Sequence, residues 1–452
     1  MLFVKIILGL LGLGIVVFVH ELGHFLAARL CKIKVDAFSI GWGNPIIKKK
    51  VGDVEYRLGM FPLGGYCKMN GDNDYNEVYE NLQKGIEPAP GSFFAASPQR
   101  RMLVSFAGPF FNLVFAVIAL SIIWGAGFES HTLSNRIVLA SELNPGEYYP
   151  ADEAGLRTGD RIIEINHRDI TWYHEIQENI VVNPETSLPI TIDRDGQIIR
   201  LLITPLLDKG SGAGKIGIVS WIDPTVEAVT ENSVAWNAGL AGGDRIVAVN
   251  GQGIRNSIDL AAILKATPEV LSIDYMRNGV TMNTQLEPVY SDTGETVLGI
   301  QWALLKYNSP RLPPHAAVAK GTQEAWNTLV LTVRSFRLLF KGIDLTQAIS
   351  GPVRITYMMG DIAAEGFGQS IGTGLRSMAN FLALISIALC IMNLLPLPIL
   401  DGGMIVLFVV ELIRRKPLHP RATTVFQTMG VVLICCLMVF AIFGDILYLV
   451  KK

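Results

Sequence analysis

The stretch VFVHELGHFLA, residues 17–27, places two histidines and a glutamate inside a run of apolar residues. Ionisable side chains are costly in hydrocarbon, at about 2.5 kcal/mol or more each, so they usually mark a functional site there. On a helix, His20 and His24 share one face because they are four residues apart, and Glu21 turns toward the same cavity. This H-E-x-x-H spacing is typical of a zinc site, in which the glutamate takes a proton from the attacking water and passes it to the leaving amine. A proton or ion pathway is the alternative use of the same residues.

A catalytic zinc ion needs a third protein ligand and one open position. Asp401 is the predicted third ligand, because it is the only acid at membrane depth in NLLPLPILDGG, residues 393–403, where two prolines break the helix. Broken helices at that depth are tolerated where they line a cavity. Glu411 and Asp445 are the fallback ligands, and we expect one Zn2+ ion per chain. The remaining histidines lie in an outward insert or a basic loop and are poorly placed: His131, His167, His174, His315 and His419.

Four apolar segments are long enough to cross a membrane as helices. The chain has 452 residues, a mean hydropathy of +0.38 and only 17% charged residues. Stretches 102–128, 378–400 and 422–444 carry no charge, and each reaches the ~20 residues that a spanning helix needs. The fourth, 2–30, contains HELGH and is longer than the apolar core of a cleaved signal, about 7–15 residues, which is the alternative that we set aside. The sequence predicts a polytopic α-helical membrane protein with four transmembrane helices.

These spans set the predicted organisation of the chain. The segments are a first transmembrane helix (1–30), a cytoplasmic-side re-entrant β-hairpin loop (31–101), a second transmembrane helix (102–128), two β-rich domains (129–221 and 222–308), periplasmic-side amphipathic helices with a linker (309–376), a third transmembrane helix (377–403), a cytoplasmic segment (404–421) and a fourth transmembrane helix with the C-terminus (422–452).

The distribution of basic residues predicts the orientation. Lys and Arg cluster in 31–101 and 404–421, so these loops should face the cytoplasm. Both termini and the insert then face outward, and the histidine motif lies toward the cytoplasmic side. No cysteine lies between Glu129 and Ser377, so the exported domains should hold no disulfide. The net charge of −2 gives no indication of nucleic acid as a partner.

The outward insert contains an internal repeat. AGLRTGDRIIEIN begins at Ala154 and AGLAGGDRIVAVN begins at Ala238, an offset of 84 residues, and this density of identities indicates a duplicated domain. The pattern resembles the PDZ family, and the resemblance implies two tandem β-rich PDZ domains that bind peptide ends at a sheet edge. Steric bulk over the membrane face is the alternative role. By the same resemblance, the groove positions are Gly217, Ile218, Gly299 and Ile300.

The loop between the first two spans alternates short apolar and polar runs separated by Gly and Asn-Pro, which is typical of β-hairpins. Its strands are more apolar than a solvated loop requires, with Phe38, Ile40, Trp42, Ile46, Ile47, Phe61 and Leu63. A sheet edge enters a membrane only beside protein or a cavity. We expect a membrane-associated hairpin that offers its edge to an extended substrate, although a hairpin on the cytoplasmic surface fits the pattern equally well.

A second amphipathic pattern precedes the third span. It predicts a helix at the outer membrane interface. Its apolar positions are Trp326, Leu329, Val330, Val333, Leu339 and Phe340.

Two asparagines stand inside predicted spans: Asn112 in AGPFFN and Asn393 in IMNLLPLP. A membrane asparagine commonly bonds a neighbouring helix. Beside a zinc ion it can instead hold the substrate backbone or the developing oxyanion. The residues alone leave both roles open.

Together, HELGH, GPFFN, FSIGWG, PLGGYCKM and NLLPLPILDGG resemble the site-2 protease family of intramembrane zinc metalloproteases. With repeats between spans two and three, the chain is most similar to the regulator of sigma-E protease type of that family. The positions that the resemblance implies are the zinc ligands His20, His24 and Asp401, the catalytic base Glu21, the substrate or oxyanion contacts Asn112 and Asn393, and the substrate-presenting segment Gly64, Gly65 and Tyr66.

The resemblance also implies substrates and location. It suggests single-span membrane proteins, such as anti-sigma factors and remnant signal peptides, cleaved after another protease has shed their outer domain. The tandem domains would exclude bulky proteins, and the location would be the bacterial inner membrane. Met404 stands where many relatives have a histidine after LDGG; because the family does not use that histidine as a ligand, we expect little consequence.

Two other functions use the same ligands. A zinc or proton transporter requires a continuous polar path, whereas spans two and four contain no acid within their apolar runs. A peptide-binding scaffold with a structural metal would normally close the site with four protein ligands, and the sequence offers three good ones.

Overall fold

The computed structural model describes residues 2–71, 79–80, 84, 87–144, 146–266, 268–290, 296–336 and 351–450. These residues form two compact units. The first, called the helical unit, contains the described residues of 1–128 and 310–452, and the second, called the insert, is Glu129–Ser309.

Helices occur in both units and are numbered along the described residues. They are α1 (Leu2–Leu30), α2 (Pro98–Ala126), α3 (Pro150–Glu153), α4 (Tyr173–Val181), α5 (Val234–Asn237), α6 (Ser257–Leu264), α7 (Pro314–Phe336), α8 (Pro352–Gln369), α9 (Ile371–Leu394), α10 (Asp401–Arg414) and α11 (Pro420–Val450).

Four helices of the described chain are long and apolar enough to cross a membrane, within Ile6–Leu30, Pro98–Ala126, Ile371–Leu394 and Arg421–Ile446. Local chemistry sets their ends. α1 stops where Lys32 adopts a left-handed φ of 59° and the Ile33 N–H donates to the Ala28 carbonyl at 2.8 Å, a common helix stop. α2 starts with Pro98, whose fixed φ suits the first helical turn.

The third spanning helix differs from the predicted segment 377–403. It begins at Ile371 and ends at Leu394. Leu395 is extended, with φ −60° and ψ 141°, because the ring of Pro396 disfavours a helical residue before it. Asp401 then starts the separate helix α10, so much of the predicted cytoplasmic segment 404–421 is also helical.

The loop after α1 contains two long strands, β1 (Val35–Val51) and β2 (Val54–Met69), joined at Gly52-Asp53. Both strands bend, so that residues 37–40 of β1 pair with 55–58 and also with 65–68 of β2. The segment around Gly65–Met69 therefore forms an edge of this small sheet. The predicted hairpin is present, and the side chains of Phe61 and Leu63 lie outside the described residues.

α7 packs more tightly than an isolated interfacial helix would. Its Ala325 and Leu329 join a cluster with Ala116 of α2 and Ile387 of α9. Trp124 at the end of α2 donates its indole N–H to Glu324 at 2.5 Å. Of the predicted amphipathic positions, Leu339 and Phe340 lie outside the described residues.

The insert repeats one architecture twice. The two antiparallel four-stranded sheets have the orders β6-β5-β7-β8 and β14-β13-β15-β16. The strands are β3 (Phe128–Thr132), β4 (Ile137–Leu139), β5 (Arg161–Ile165), β6 (Arg168–Asp169), β7 (Leu188–Arg194), β8 (Gln197–Ile203), β9 (Leu206–Leu207), β10 (Gly214–Lys215), β11 (Ile218–Ser220), β12 (Val226–Val229), β13 (Arg245–Val249), β14 (Gln252–Gly253), β15 (Leu271–Arg277), β16 (Val280–Leu286), β17 (Ile300–Trp302) and β18 (Leu305–Ser309).

The repeated Gly-Asp motif has the same structural role in both copies. Buried Asp160 accepts two hydrogen bonds from Arg194 at 2.8 Å, and buried Asp244 accepts two from Arg277 at 2.7 Å. Each arginine also donates to the carbonyl of the motif glycine, Gly155 or Gly239. Because a buried carboxylate needs such a partner, the pair fixes the turn against the hairpin that carries the arginine.

Candidate metal centre

His20 and His24 of α1 meet Asp401 at the start of α10. The two Nε2 atoms lie 3.1 Å apart. His20 Nε2 is 3.2 Å from Asp401 Oδ2, and His24 Nε2 is 3.4 Å from Asp401 Oδ1. Among the described residues, this is the only group of three His, Cys, Asp or Glu side chains placed to hold a metal ion.

The donor set fits a zinc ion. Zinc takes nitrogen and oxygen ligands at about 2.0–2.1 Å in tetrahedral geometry, which separates neighbouring ligand atoms by about 3.3 Å. The 3.1 Å between the two Nε2 atoms is close to that edge, and so are the 3.2 and 3.4 Å from these atoms to the two different oxygens of Asp401, so both imidazoles and the carboxylate can reach one ion. Among the described residues, no fourth His, Cys, Asp or Glu joins this group, which leaves one tetrahedral position for water or substrate.

The other ring nitrogen of each histidine faces α2. His24 Nδ1 donates to the Val104 carbonyl at 2.8 Å. His20 Nδ1 lies 3.3 Å from the Asn112 side-chain amide, and Asn112 is fully buried. Within the described chain, the amide oxygen of Asn112 has no hydrogen-bond partner. Turning the amide by 180° makes this oxygen the acceptor for His20 Nδ1–H, so both Nε2 atoms then present lone pairs to a metal.

Glu21 borders a cavity of about 360 Å³ that also reaches the three ligands. Its carboxylate is hydrogen-bonded to the backbone of Cys67 in β2. The hairpin therefore contacts the acid directly. The other wall residues are Val17, Trp42, Gly64, Gly65, Leu389, Asn393, Ile399 and Leu400.

Glycines in the motifs allow this close approach. A Cβ added to Gly108 of GPFF would lie 2.8 Å from His20 Cε1 and closer still to His24. A Cβ on Gly65 would lie 3.0 Å from Glu21 Cγ and 2.8 Å from the Ser39 carbonyl. Any larger residue at either position would displace the histidines or the glutamate.

Some of the predicted substrate-binding residues line the cavity, and the others contact residues beside it. Asn393, Gly64 and Gly65 lie in the cavity wall, whereas Tyr66 accepts a hydrogen bond from Arg57 at 2.9 Å. Asn112 contacts His20 and does not line the cavity.

Sequence reasoning gave no site role to five residues of this wall: Val17, Trp42, Leu389, Ile399 and Leu400. Trp42 donates its indole N–H to the Gly65 carbonyl at 3.2 Å; the sequence marked it only as an apolar residue of the predicted hairpin and as part of FSIGWG. Ile399 has a left-handed φ of 76°, which is strained by about 1–3 kcal/mol for a non-glycine residue. This strain lies two residues before Asp401, where the chain turns from the Pro-rich segment into α10.

The fallback ligands Glu411 and Asp445 have other partners. Glu411 forms an ion pair with Arg101 of α2 at 2.8 Å. Asp445 of α11 accepts backbone N–H groups from Gly351, Val353 and Arg354 at 2.9–3.1 Å, at the start of α8. Neither acid belongs to the metal cluster. Met404 packs against the apolar cluster that includes Phe25 and Phe408.

The predicted groove positions lie in the insert. Gly217 and Gly299 have φ values of 80° and 77°. Ile218 begins β11, and Ile300 begins β17.

The chain is similar to known proteins over almost its whole length. The model of peptidase family M50 matches residues 8–437. A putative zinc metalloprotease of Treponema pallidum is 37% identical over 99% of both chains. The regulator of sigma E protease of Haemophilus influenzae is 32% identical, covering 97% of this chain and 98% of its own. Regulator of sigma-E protease RseP of Escherichia coli is 29% identical, covering 96% and 97%.

Similarity to a solved structure is limited to a short region. A PDZ domain of the SdrC-like protein of Listeria monocytogenes covers 19% of this chain at 17% identity, but its TM-score of 0.17 is too low to support an argument. The family match and the full-length relatives do not depend on it. This chain belongs to peptidase family M50, the site-2 proteases, and is a zinc metalloprotease.

Proposed function

We propose that this chain hydrolyses peptide bonds in the membrane-spanning segments of single-span membrane proteins, with one zinc ion held by His20, His24 and Asp401. One observation carries the proposal: the three ligand groups lie 3.1–3.4 Å apart beside Glu21, among helices apolar enough to span a membrane. Three protein ligands favour a catalytic over a structural site, because structural zinc is normally closed by four.

Each side chain then has a defined task. Zinc, when bound, polarises the peptide carbonyl and lowers the pKa of water. Glu21 accepts the proton of the attacking water and delivers it to the leaving amine, because its carboxylate lies in the same cavity. The hydrogen bond from the Cys67 backbone keeps that carboxylate in one orientation.

The asparagines have different tasks in this proposal. Asn112 fixes the ring and tautomer of His20, since it is fully buried and its amide lies 3.3 Å from Nδ1. Asn393 lines the cavity and is the candidate to hold the substrate backbone or the oxyanion. In this proposal Asn112 positions a zinc ligand, and Asn393 contacts the substrate or the oxyanion.

The hairpin supports a route for presenting substrate. A helical amide is occupied by its own hydrogen bonds, so the substrate must unwind before cleavage. The edge segment around Gly65–Met69 lies against Glu21, and an extended substrate can add to such an edge as a further strand. Gly64 and Gly65 leave room for it, while Tyr66 braces the hairpin through Arg57.

The substrate class follows the relatives. Two of them are named regulators of sigma-E protease, which supports anti-sigma factors as substrates of this chain, with remnant signal peptides as a second class. The insert would exclude proteins with bulky outer domains, so that another protease must act first. The proposed location is a bacterial inner membrane, with the insert and both termini in the periplasm and Lys48, Lys49 and Lys50 on the cytoplasmic side.

The test is cleavage of a tagged single-span substrate that lacks its outer domain. Purified wild type and Glu21→Gln are compared in the same detergent, and bound zinc is measured in both. We expect the variant to lose about 10²–10⁴-fold in rate with its zinc content unchanged, because it loses only a proton-transfer group. Equal cleavage by both proteins would remove Glu21 as the catalytic base, and zinc-loaded wild type that cleaves none of several such substrates would favour transport or a scaffold.

A further inference from the structure

A second concave surface, called the hairpin groove, lies between α1 and the β1–β2 hairpin. Its volume is about 450 Å³, within the range of about 300–1,000 Å³ that is usual for ligand sites. The α1 wall consists of Phe18, Leu22 and Phe25, whose spacing puts them on one face of the helix. None of the described residues that line this groove also lines the cavity beside Glu21. The hairpin groove is therefore separate from the metal centre.

The bent hairpin forms the other wall. Residues 37–40 of β1 pair with 55–58 of β2, and these pair in turn with 47–50 at the far end of β1. Successive side chains of a strand point to opposite faces, so alternate residues of the three segments face α1. The apolar and aromatic ones in the groove are Phe38, Ile40, Ile47, Tyr56 and Leu58.

This wall is apolar but only partly covered. The rings of Phe25, Phe38 and Tyr56 lie 5.4–6.2 Å apart and form the floor of the groove. Beyond them, Ile47 is 61% exposed, and its cross-strand partner Leu58 is 42% exposed. Contiguous exposed apolar residues mark a surface that contacts another molecule or a membrane. The outer part of the groove is thus open to an apolar group.

The hairpin has a defined direction along α1. Tyr56 lies beside Phe25, near the C-terminal end of the helix. Ile40, farther along the sheet, pairs with Gly65, and a Cβ on Gly65 would lie 3.1 Å from Val17. Moving from Tyr56 to the row of Ile40 therefore leads from the C-terminal end of α1 toward its middle.

The two rows of the groove differ in polarity. The Tyr56 row ends in Lys49, whereas the Ile40 row continues through Leu58 to Ile47. In the proposed orientation, the C-terminal end of α1 lies at the cytoplasmic surface, so the cation is near that surface and the aliphatic row is deeper. A phospholipid has the same order, with a charged headgroup above its hydrocarbon chains.

Lys49 brings an unbalanced positive charge to the groove. Lys48 and Lys50 face the other side of β1, where the hydrogen bond from Arg57 lowers the pKa of the Glu55 carboxyl and the two lysines add to that effect. Arg57 also lines the groove, but its charge is balanced by the ion pair with Glu55 at 2.9 Å. Lys49 has no acidic partner in the part of the chain that the structure describes. One cation is therefore available to an anionic ligand.

We propose that the hairpin groove binds one anionic phospholipid, with the phosphate at Lys49 and an acyl chain along Ile47 and Leu58. Basic residues at the cytoplasmic surface attract anionic lipid headgroups, and the neighbouring apolar row supplies a surface for the chain. The inference rests on the proposed membrane location of the hairpin but not on the zinc chemistry.

The test uses the purified full chain in bilayer discs of phosphatidylcholine with a small fraction of phosphatidylglycerol that carries a diazirine in one acyl chain. Light attaches the bound lipid to the protein, and peptide mass spectrometry locates it. We expect label within residues 18–25 and 38–58, saturating at one lipid per chain and displaced by unlabelled phosphatidylglycerol. A phosphatidylcholine probe with the same diazirine is the control and should label these segments about fivefold less.

Neighbouring residues of β1 supply matched variants, because they face opposite sides of the strand. Lys49→Gln should lower the labelling by phosphatidylglycerol about fivefold, whereas Lys48→Gln should retain it. Ile47→Trp fills the groove and should lower the labelling at least as much, whereas Ile46→Trp, at a similarly exposed position outside the groove, should retain it. The zinc content of each variant shows whether the helical unit is still folded.

Four results would overturn the proposal. They are equal labelling by the two probes, equal losses in Lys49→Gln and Lys48→Gln, unchanged labelling in folded Ile47→Trp, and displacement of the probe by a single-span substrate but not by phosphatidylglycerol. The second would indicate general attraction to a basic surface, and the last would assign the groove to substrate. Cleavage in the same discs is measured separately. Absence of label from discs that still cleave substrate would remove this inference and leave the proposed protease function standing.

Discussion

The helix α10 carries two largely buried acids with opposite roles. Asp401 at its first residue faces two imidazoles, and Glu411, ten residues later, faces the guanidinium of Arg101. A guanidinium never loses its proton and cannot bind a metal, whereas each imidazole offers a lone pair once its other nitrogen is hydrogen-bonded. The difference teaches that a buried acid in this helical unit marks a metal site only where its partners can also be ligands.

Asp445, on helix α11, is a second acid whose partners cannot bind a metal. It accepts three backbone N–H groups at the start of α8 and has no imidazole partner among the described residues. Its charge is balanced by a helix N-terminus, which suits an anion. The three acids were alternatives for one ligand position, and their partners distinguish them.

The largest expected effect comes from exchanging the acids of α10. Asp401→Asn should lower zinc affinity more than about 100-fold, beyond the cost of changing an outer-shell partner, and cleavage should fall with it. Glu411→Gln is the matched control, because it alters an acid on the same helix away from the metal. Chelator competition with purified protein measures both. Equal loss of zinc affinity in the two variants would contradict the assignment of Asp401, and not Glu411, as the zinc ligand.

Breaking the Arg101–Glu411 ion pair should lower the free energy of unfolding and leave zinc affinity unchanged. Arg101→Ala leaves Glu411 buried without its partner, and the loss of one member of a buried pair costs about 3–5 kcal/mol of unfolding free energy. Arg101 also lies over the ring of Phe408 at 4.9 Å, which adds to the loss. Unfolding by denaturant in detergent provides the measurement.

A double variant sharpens that test. Arg101→Met with Glu411→Leu removes both charges and should recover most of the lost stability, because no ion is left unpaired. Zinc affinity of the double variant should remain near that of wild type. Persistent instability would show that the pair does more than neutralise one charge.

Asn112 should give an intermediate effect. Asn112→Ala removes the partner of His20 Nδ1, and we expect zinc affinity to fall about 10–100-fold because the ring loses its fixed orientation. Ser386→Ala is the control, since Ser386 donates to the Asn112 backbone carbonyl at 2.9 Å and leaves the side-chain amide intact. Unchanged zinc affinity with a reduced cleavage rate would instead assign Asn112 to the substrate.

An exposed ion pair of the insert should have the smallest effect. The hydrogen bond from Lys215, with those from Gly210 and Ser211, lowers the pKa of Asp208 to about 2 from its ordinary 3.8. Because the folded pKa is the lower one, the contribution is present above about pH 4 and is lost as the pH falls through about 2. Lys215 is 65% exposed, so Asp208→Asn should cost less than about 1 kcal/mol at pH 7.

Hydrogen exchange of the insert at pH 7 and at pH 2 measures that difference. The variant and the wild type should differ slightly at pH 7 and converge at pH 2. A cost as large as that of Arg101→Ala would contradict the comparison between buried and exposed pairs.

The sequence predicted those parts of the site that lie within one secondary-structure element or one motif. The four-residue spacing placed His20 and His24 on one helical face, and the depth of the Pro-broken segment selected Asp401. The family match supports the enzyme class that these motifs predicted. The spacing of residues along the sequence predicts these features because helical periodicity indicates which residues share a helix face, and a fixed offset between similar stretches indicates a duplicated domain.

The remainder depends on contacts between distant elements. Asn112 lies beside His20 only because α2 packs against α1 through glycines, and sequence left its role open. Trp42 reaches the cavity through a bend in β1 that no local pattern specifies. The repeat predicted two equivalent domains, but Tyr149 and Tyr173 of the first copy correspond to Ser233 and Ser257 of the second, which gives their edge strands different surroundings.

The most direct test of the account is zinc X-ray absorption on the purified chain, combined with the zinc content of wild type and Asp401→Asn. We predict one zinc per wild-type chain, with only nitrogen and oxygen neighbours at about 2.0–2.1 Å, and little zinc in the variant. A sulfur neighbour at about 2.3 Å, which would implicate a cysteine such as Cys67, or full zinc content in Asp401→Asn, would contradict it.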